Sequence, residues 1–174
     1  MIYLIVGGSC AGKSSFVNNK WVKNKKGTMK KDILPYFETE DSILLGIYDN
    51  EQGRRIGTDR INRKDIKKIL PQIITLYNKS PEKDIILEGD KIVSRPLWNG
   101  LIENKIECKV YLIECSPEKS IERNRKNNST NKESTLKASC TRAKNIFNEY
   151  KDIFNGEIIN SENIKDFSKF GINI

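Results

Sequence analysis

A chain of 174 residues with net charge +8, 31% charged and 37% hydrophobic, has the composition of one soluble domain large enough to bury a core. No apolar run approaches the ~20 residues that cross a bilayer, and the short N-terminal apolar run lacks a basic leader, so a cytoplasmic protein without a membrane partner is expected. The chain has no His and its four cysteines (Cys10, Cys108, Cys115, Cys140) form no C-x-x-C pair, which excludes a His base and the common zinc patterns and leaves reduced, structural thiols.

The run 2–6, Ile-Tyr-Leu-Ile-Val, is apolar and rich in β-branched residues, as a buried strand should be. It enters Gly7-Gly8-Ser9-Cys10-Ala11-Gly12-Lys13-Ser14, after which Ser15-Phe16-Val17 opens a helix expected over 13–23, with Phe16, Val17 and Trp21 inward. Residues 24–32 read as a basic, Gly-containing loop, and 33–37 as an apolar run interrupted by Pro35. A strand is expected over 42–48, ending in a turn-rich 49–53 where Asp49 sits in a hairpin-like turn, with 57–60 a polar loop. Ile66, Ile69, Leu70, Ile73, Ile74 and Tyr77 recur at helical spacing, so 63–79 reads as a helix that Pro71 can kink. A second buried-type strand covers 84–90 and ends in acids; a short helix follows over 96–103 and a third strand over 109–114. Ser116-Pro117-Glu118 opens a further helix, 124–135 reads as a polar, basic, mobile lid, and a long helix is expected over 133–151. A last strand over 157–160 and a closing helix over 161–170 complete the chain. This alternation predicts one α/β domain spanning 1–174 with a mainly parallel central sheet; the glycine-rich run 7–14 at the end of its first strand adds the expectation of a P-loop NTPase-type, three-layer αβα fold with a basic helical lid over about 118–142.

Residues 7–14 fit the phosphate-loop pattern G-x-x-x-x-G-K-[ST]. A match of that kind arises by chance in about one chain of this length in a hundred. The chemistry requires this order. Glycines let successive backbone N–H groups converge on one anion, Lys13 reaches the β- and γ-phosphates, and the Ser14 hydroxyl meets Mg²⁺. Gly7, Gly8, Ser9, Cys10, Ala11, Gly12, Lys13, Ser14 and Ser15 are therefore the expected contacts of a nucleoside triphosphate, taken as ATP.

A small kinase is favoured over a GTPase or a motor, because the chain is short and carries no N-K-x-D base-reading motif. The segment 118–142 holds Arg123, Arg125 and Arg142, which suit a lid closing over phosphates, or else are solvated helix charges. Arg123 and Arg125 are preferred to Arg142. Phosphorylating a hydroxyl also needs a carboxylate to take its proton. Asp59, beside Arg60 in a loop, is one candidate, although it also suits an Asx turn. Glu88 and Asp90 lie beside the glycine loop if their strand neighbours the first, where either can serve Mg²⁺, and Asp90 also suits a helix cap.

Gly57-Thr58-Asp59-Arg60, followed about thirty residues later by Glu88-Gly89-Asp90 behind an N-terminal phosphate loop, resembles a group of phage-encoded P-loop kinases that includes the 5-hydroxymethyluracil DNA kinases. The group has the same core as nucleotide kinases. The resemblance implies ATP-dependent transfer onto the hydroxymethyl group of a modified base in DNA, in the cytoplasm of a bacterial host. It places Asp59 and Arg60 at the acceptor and Glu88 or Asp90 near the metal.

Charge bears on the acceptor. Residues 20–32 hold six Lys against one Asp, and 118–144 hold eight Lys or Arg against three Glu. Two such clusters suit a polyanion such as DNA; codon usage in an AT-rich genome produces the same bias. Three readings follow in order: a DNA-base kinase acting on 5-hydroxymethyluracil, which the two clusters favour, then a kinase of free nucleosides or nucleotides, and last a non-kinase nucleotide-binding protein.

Overall fold

The computed structural model describes residues 1–49, 54–58, 66–127 and 130–163. Strand β1 (Ile2–Gly7) lies near the middle of a seven-stranded sheet, and its alternate side chains face opposite sides. Ile2, Leu4 and Val6 enter one apolar cluster, while Ile5 enters another. All four are fully buried, which explains why the run is continuously apolar instead of alternating.

The remaining strands are β2 (Gly27–Lys30), β3 (Tyr36–Thr39), β4 (Ser42–Leu45), β5 (Ile47–Asp49), β6 (Arg54–Gly57), β7 (Asp84–Glu88), β8 (Cys108–Glu114) and β9 (Glu157–Asn160). The sheet order is β2-β3-β4-β7-β1-β8-β9, with β5 and β6 forming a separate hairpin. The pairs β4/β7, β7/β1, β1/β8 and β8/β9 are parallel, and the β2 and β3 end is antiparallel. Helices are α1 (Lys13–Val17), α2 (Ile66–Lys79), α3 (Arg95–Glu103), α4 (Pro117–Lys126) and α5 (Glu133–Tyr150). Helices α2, α3 and α5 send Ile69, Ile73, Trp98, Leu101, Ala143 and Phe147 onto the Ile2–Leu4–Val6 face. Helix α1 sends Phe16 and Val17 onto the other, against Ile86, Tyr111 and Ile113. Each Ile, Leu, Val and Phe among these contributes about 1.5–3 kcal/mol through burial. The result is a mixed, mostly parallel sheet flanked by helices, in agreement with the α/β expectation.

Several expected elements differ. The helix over 13–23 is α1 followed by a wide π-type turn over 18–22, in which Lys23 N–H bonds the Asn18 carbonyl at 2.7 Å. That turn places Trp21 and Val22 in the core. The loop expected over 24–32 contains β2, whose four residues are all exposed and so carry no alternating pattern. The strand expected over 42–48 breaks at Gly46, where φ is +118°. A side chain there would overlap the Gly57 carbonyl, so only glycine lets the hairpin leave the sheet at this point. Residues 54–56, unassigned from sequence, and Gly57, expected in a polar loop, form β6, and the strand over 84–90 stops at Glu88, with Asp90 opening a 3₁₀ turn. Of the lid loop expected over 124–135, residues 124–126 end α4 and 133–135 begin α5. Of the expected helix 161–170, residues 161–163 form a turn and the rest lies outside the described residues, as do 63–65 of the helix expected over 63–79.

Candidate active site

Strand β1 ends at Gly7, and the loop 8–12 turns back so that Ala11 N–H bonds the Gly8 carbonyl at 3.1 Å. Gly12, at φ +105°, hands the chain into α1. Lys13 opens that helix with its side chain only 7% exposed. Its ammonium donates to the carbonyls of Gly7 (3.1 Å) and Gly8 (2.9 Å) and lies 3.6 Å from Asp90 Oδ1. A buried ammonium needs this much compensation. The same three donors are the ones a phosphate oxygen can take over. Ser15 sits exposed in the same turn.

The acids come from β7, the parallel neighbour of β1, in a register that sets Glu88 opposite Ile5. Glu88 is 1% exposed and accepts a hydrogen bond from Ser14 Oγ at 3.0 Å. Asp90 accepts one from Ser9 Oγ at 3.2 Å. Glu88 and Asp90 thus lie against the glycine loop from the same side, as expected if their strand neighbours the first. Thr58 donates to the Glu88 carbonyl through its N–H (3.0 Å) and Oγ1 (2.7 Å), which pins the end of the β6 segment to this site. Asp59 and Arg60, which follow Thr58, lie outside the described residues.

The arginines separate. Arg123 of α4 donates to the carbonyls of Cys10 (3.4 Å) and Ala11 (3.0 Å) and to Ser161 Oγ and carbonyl (both 3.0 Å). It therefore fastens the loop to the turn after β9. Arg125 pairs with Glu133 at 2.9 Å, both side chains exposed, and is not brought to the loop. Arg142 of α5 lies 3.7 Å from Asp90 Oδ2.

Sequence reasoning missed Ser139 of α5, whose Oγ accepts the Ser9 N–H at 2.9 Å across 130 residues of chain. It also missed the close packing of Cys140 Sγ on Gly8, where any added side chain would overlap it. Burial pushes the thiols of Cys10 and Cys140 up from their ordinary range, so neither is a ready nucleophile near neutral pH. Among the described residues, no group of three or more Cys, Asp or Glu side chains converges as a metal cage.

Replacing Arg123 by Ala removes donors from two loop carbonyls and from Ser161. The expected result is a lower thermal midpoint, with about 1–3 kcal/mol lost, and weaker ATP binding in calorimetry; unchanged midpoint and affinity would remove its bracing role.

No protein-family model matches the chain, and no curated protein matches it. Among solved structures, it is similar to deoxyadenosine kinase from M. mycoides with dCMP and a flexible dCDP bound, at 13% identity over 98% of this chain and 97% of that one, with a TM-score of 0.52. Structures of deoxyadenosine kinase from M. mycoides with dATP and with dCTP align at 14% and 16% identity, both with a TM-score of 0.48. At these identities the likeness is one of fold.

Proposed function

We propose that the chain transfers the γ-phosphoryl group of ATP to a hydroxyl of a free nucleoside or nucleotide. The observation that carries this reading is the convergence of Lys13, Ser14, Ser9, Glu88 and Asp90 where β1 and β7 end at the glycine loop. That edge of a parallel sheet is where α/β proteins take their ligands. The likeness in fold to a deoxyadenosine kinase supports the acceptor class.

In this reading residues 7–15 hold the triphosphate, with Lys13 exchanging the Gly7 and Gly8 carbonyls for β- and γ-phosphate oxygens. Ser14 and Glu88 present a hydroxyl and a carboxylate 3.0 Å apart, with Asp90 nearby. Such hard oxygens fit Mg²⁺, which takes one or two carboxylates and completes its shell with water and phosphate. When bound, the ion neutralises charge on the β- and γ-phosphates. The acceptor oxygen forms a bond to the γ-phosphorus while the bond to the β,γ-bridging oxygen breaks. The electron pair of that bond leaves with ADP, and the hydroxyl proton passes to a carboxylate. Asp59, one residue beyond the pinned Thr58, is assigned that proton, with Arg60 beside it at the acceptor.

A second reading, transfer to 5-hydroxymethyluracil in DNA, rests on the motifs 57–60 and 88–90 and on the basic clusters. The fold separates those clusters. One lies around β2 at a sheet edge and the other on α4 and α5, and α5 packs on β1 and β8. Five strand positions, about 24 Å, separate β2 from β8. Many of their charges are paired within the chain: Lys25 with Asp41, Lys119 and Lys126 with Glu122, Arg125 with Glu133, and Lys144 with Glu114. A free acceptor is preferred on the likeness in fold to a deoxyadenosine kinase.

The test supplies labelled ATP with deoxynucleosides, deoxynucleoside monophosphates, ordinary DNA and DNA containing 5-hydroxymethyluracil. Label is expected in a free nucleoside or nucleotide. Label only in the modified DNA would replace this reading with the second, and ATP hydrolysis with no labelled acceptor would leave a nucleotide-binding hydrolase.

A further inference from the structure

The proposed reaction needs positive charge over the transferred group, because the transition state spreads negative charge over three equatorial oxygens. Three arginines of the α4–α5 region are candidates, and their surroundings differ. The guanidinium of Arg123 is committed to the carbonyls of Cys10, Ala11 and Ser161 and the Ser161 hydroxyl. Arg125 faces solvent with Glu133. Arg142 is the one of the three whose guanidinium meets an acid of the site itself.

Its placement follows from how α5 docks. Ser139 is 5% exposed and its Oγ holds the Ser9 N–H, while Cys140 lies against Gly8. Arg142 stands three residues after Ser139, on the same helix face. From there Nη2 reaches within 3.7 Å of Asp90 Oδ2, the oxygen that also accepts the Ser9 hydroxyl at 3.2 Å. On the other side, Asp90 Oδ1 lies 3.6 Å from Lys13 Nζ. Two cations from opposite ends of the chain thus flank one anionic group, and a loop hydroxyl shares the oxygen that Arg142 faces. A phosphoryl group entering the loop meets the same donors. The Arg142 side chain is 57% exposed, and among the described residues its ion pair is with Asp90.

We infer that Arg142 is the catalytic arginine, pairing with the γ-phosphoryl oxygens opposite Lys13 as the bond to ADP breaks, and that Asp90 holds it at the site until phosphate arrives. This inference rests on the proposed phosphotransferase reading. It reverses the sequence preference for Arg123 and Arg125 in that role.

The test compares wild type, Arg142→Ala, Arg142→Lys, Arg95→Ala and Lys13→Ala with whichever acceptor the labelling assay identifies. Arg95→Ala removes an equal charge from an exposed pair between Arg95 of α3 and Glu149 of α5. Arg142→Ala is expected to lower kcat about 100-fold or more, with KM for ATP within threefold and an unchanged thermal midpoint. Arg142→Lys, which keeps charge without the planar fork, should recover about tenfold of that loss. Arg95→Ala should stay within twofold of wild type. If wild type is active and Lys13→Ala inactive while Arg142→Ala keeps kcat within threefold, or loses only KM, the inference fails and the phosphotransferase reading stands. A wild-type protein that labels no acceptor removes the reading and the inference together.

Discussion

Replacing Lys13 by Ala is expected to lower kcat by about a thousandfold or more, with little loss of folding stability. The ammonium is 7% exposed and held by the Gly7 and Gly8 carbonyls at 3.1 and 2.9 Å, with Asp90 3.6 Å away. Nothing else in the described glycine loop carries a positive charge. Its removal takes away the cation that the loop itself supplies to the β- and γ-phosphates, beside the acids Asp90 and Glu88. Stability responds differently. Ala loses two hydrogen bonds but also relieves the desolvation of a buried charge, and these oppose each other to within about 1–2 kcal/mol. Steady-state kinetics and thermal unfolding on the same preparation check both halves. Undiminished turnover in a folded Lys13→Ala protein would remove the loop from the chemistry.

The parts of this site that could be read from sequence are those written locally. The run 2–6 followed by glycines and Lys13 specifies a strand, a loop and a helix start without reference to distant residues, and these elements form there. Glu88 was legible because an apolar run, Ile85-Ile86-Leu87, ends in it, and a buried parallel strand delivers its last residue to the ligand edge. Strand β2 was not legible. Its residues are exposed on both faces, so neither alternation nor apolarity marks it, and only pairing with β3 makes it a strand.

The arginines show a different limit. Arg123 and Arg125 stand two apart on α4, and a helix turns about 200° over that interval, so the two cannot face one target. One fastens the loop and the other meets solvent. That separation was available from spacing alone. The role of α5 was not: periodicity assigns Leu136, Cys140, Ala143, Phe147 and Tyr150 to an inward face, but does not say that Gly8 lies under Cys140 or Ser9 under Ser139. The Ser9–Ser139 bond joins the loop to a helix 130 residues later, and only the tertiary arrangement supplies it.

Glu88→Gln and Asp59→Asn are expected to fail in different ways, and the difference separates metal from base. Glu88 is 1% exposed, accepts from Ser14 Oγ at 3.0 Å, and lies against Gly57, where any side chain would overlap its carboxyl. Gln keeps that shape and an acceptor for Ser14 while removing the charge, so the fold should tolerate it. The lost charge should raise the Mg²⁺ concentration needed for half-maximal activity about tenfold or more, and lower kcat about 100-fold at fixed Mg²⁺. Asp59→Asn removes only the ability to take a proton. Its kcat should fall about 10²- to 10⁴-fold, with affinity for ATP and the Mg²⁺ requirement unchanged. Titrating Mg²⁺ against both variants, alongside ATP binding by calorimetry, reads the two signatures separately. A shifted Mg²⁺ requirement in Asp59→Asn with none in Glu88→Gln would exchange the two roles. Full activity in Asp59→Asn would place the base elsewhere, leaving Asp90 as the remaining candidate among the described carboxylates at the loop.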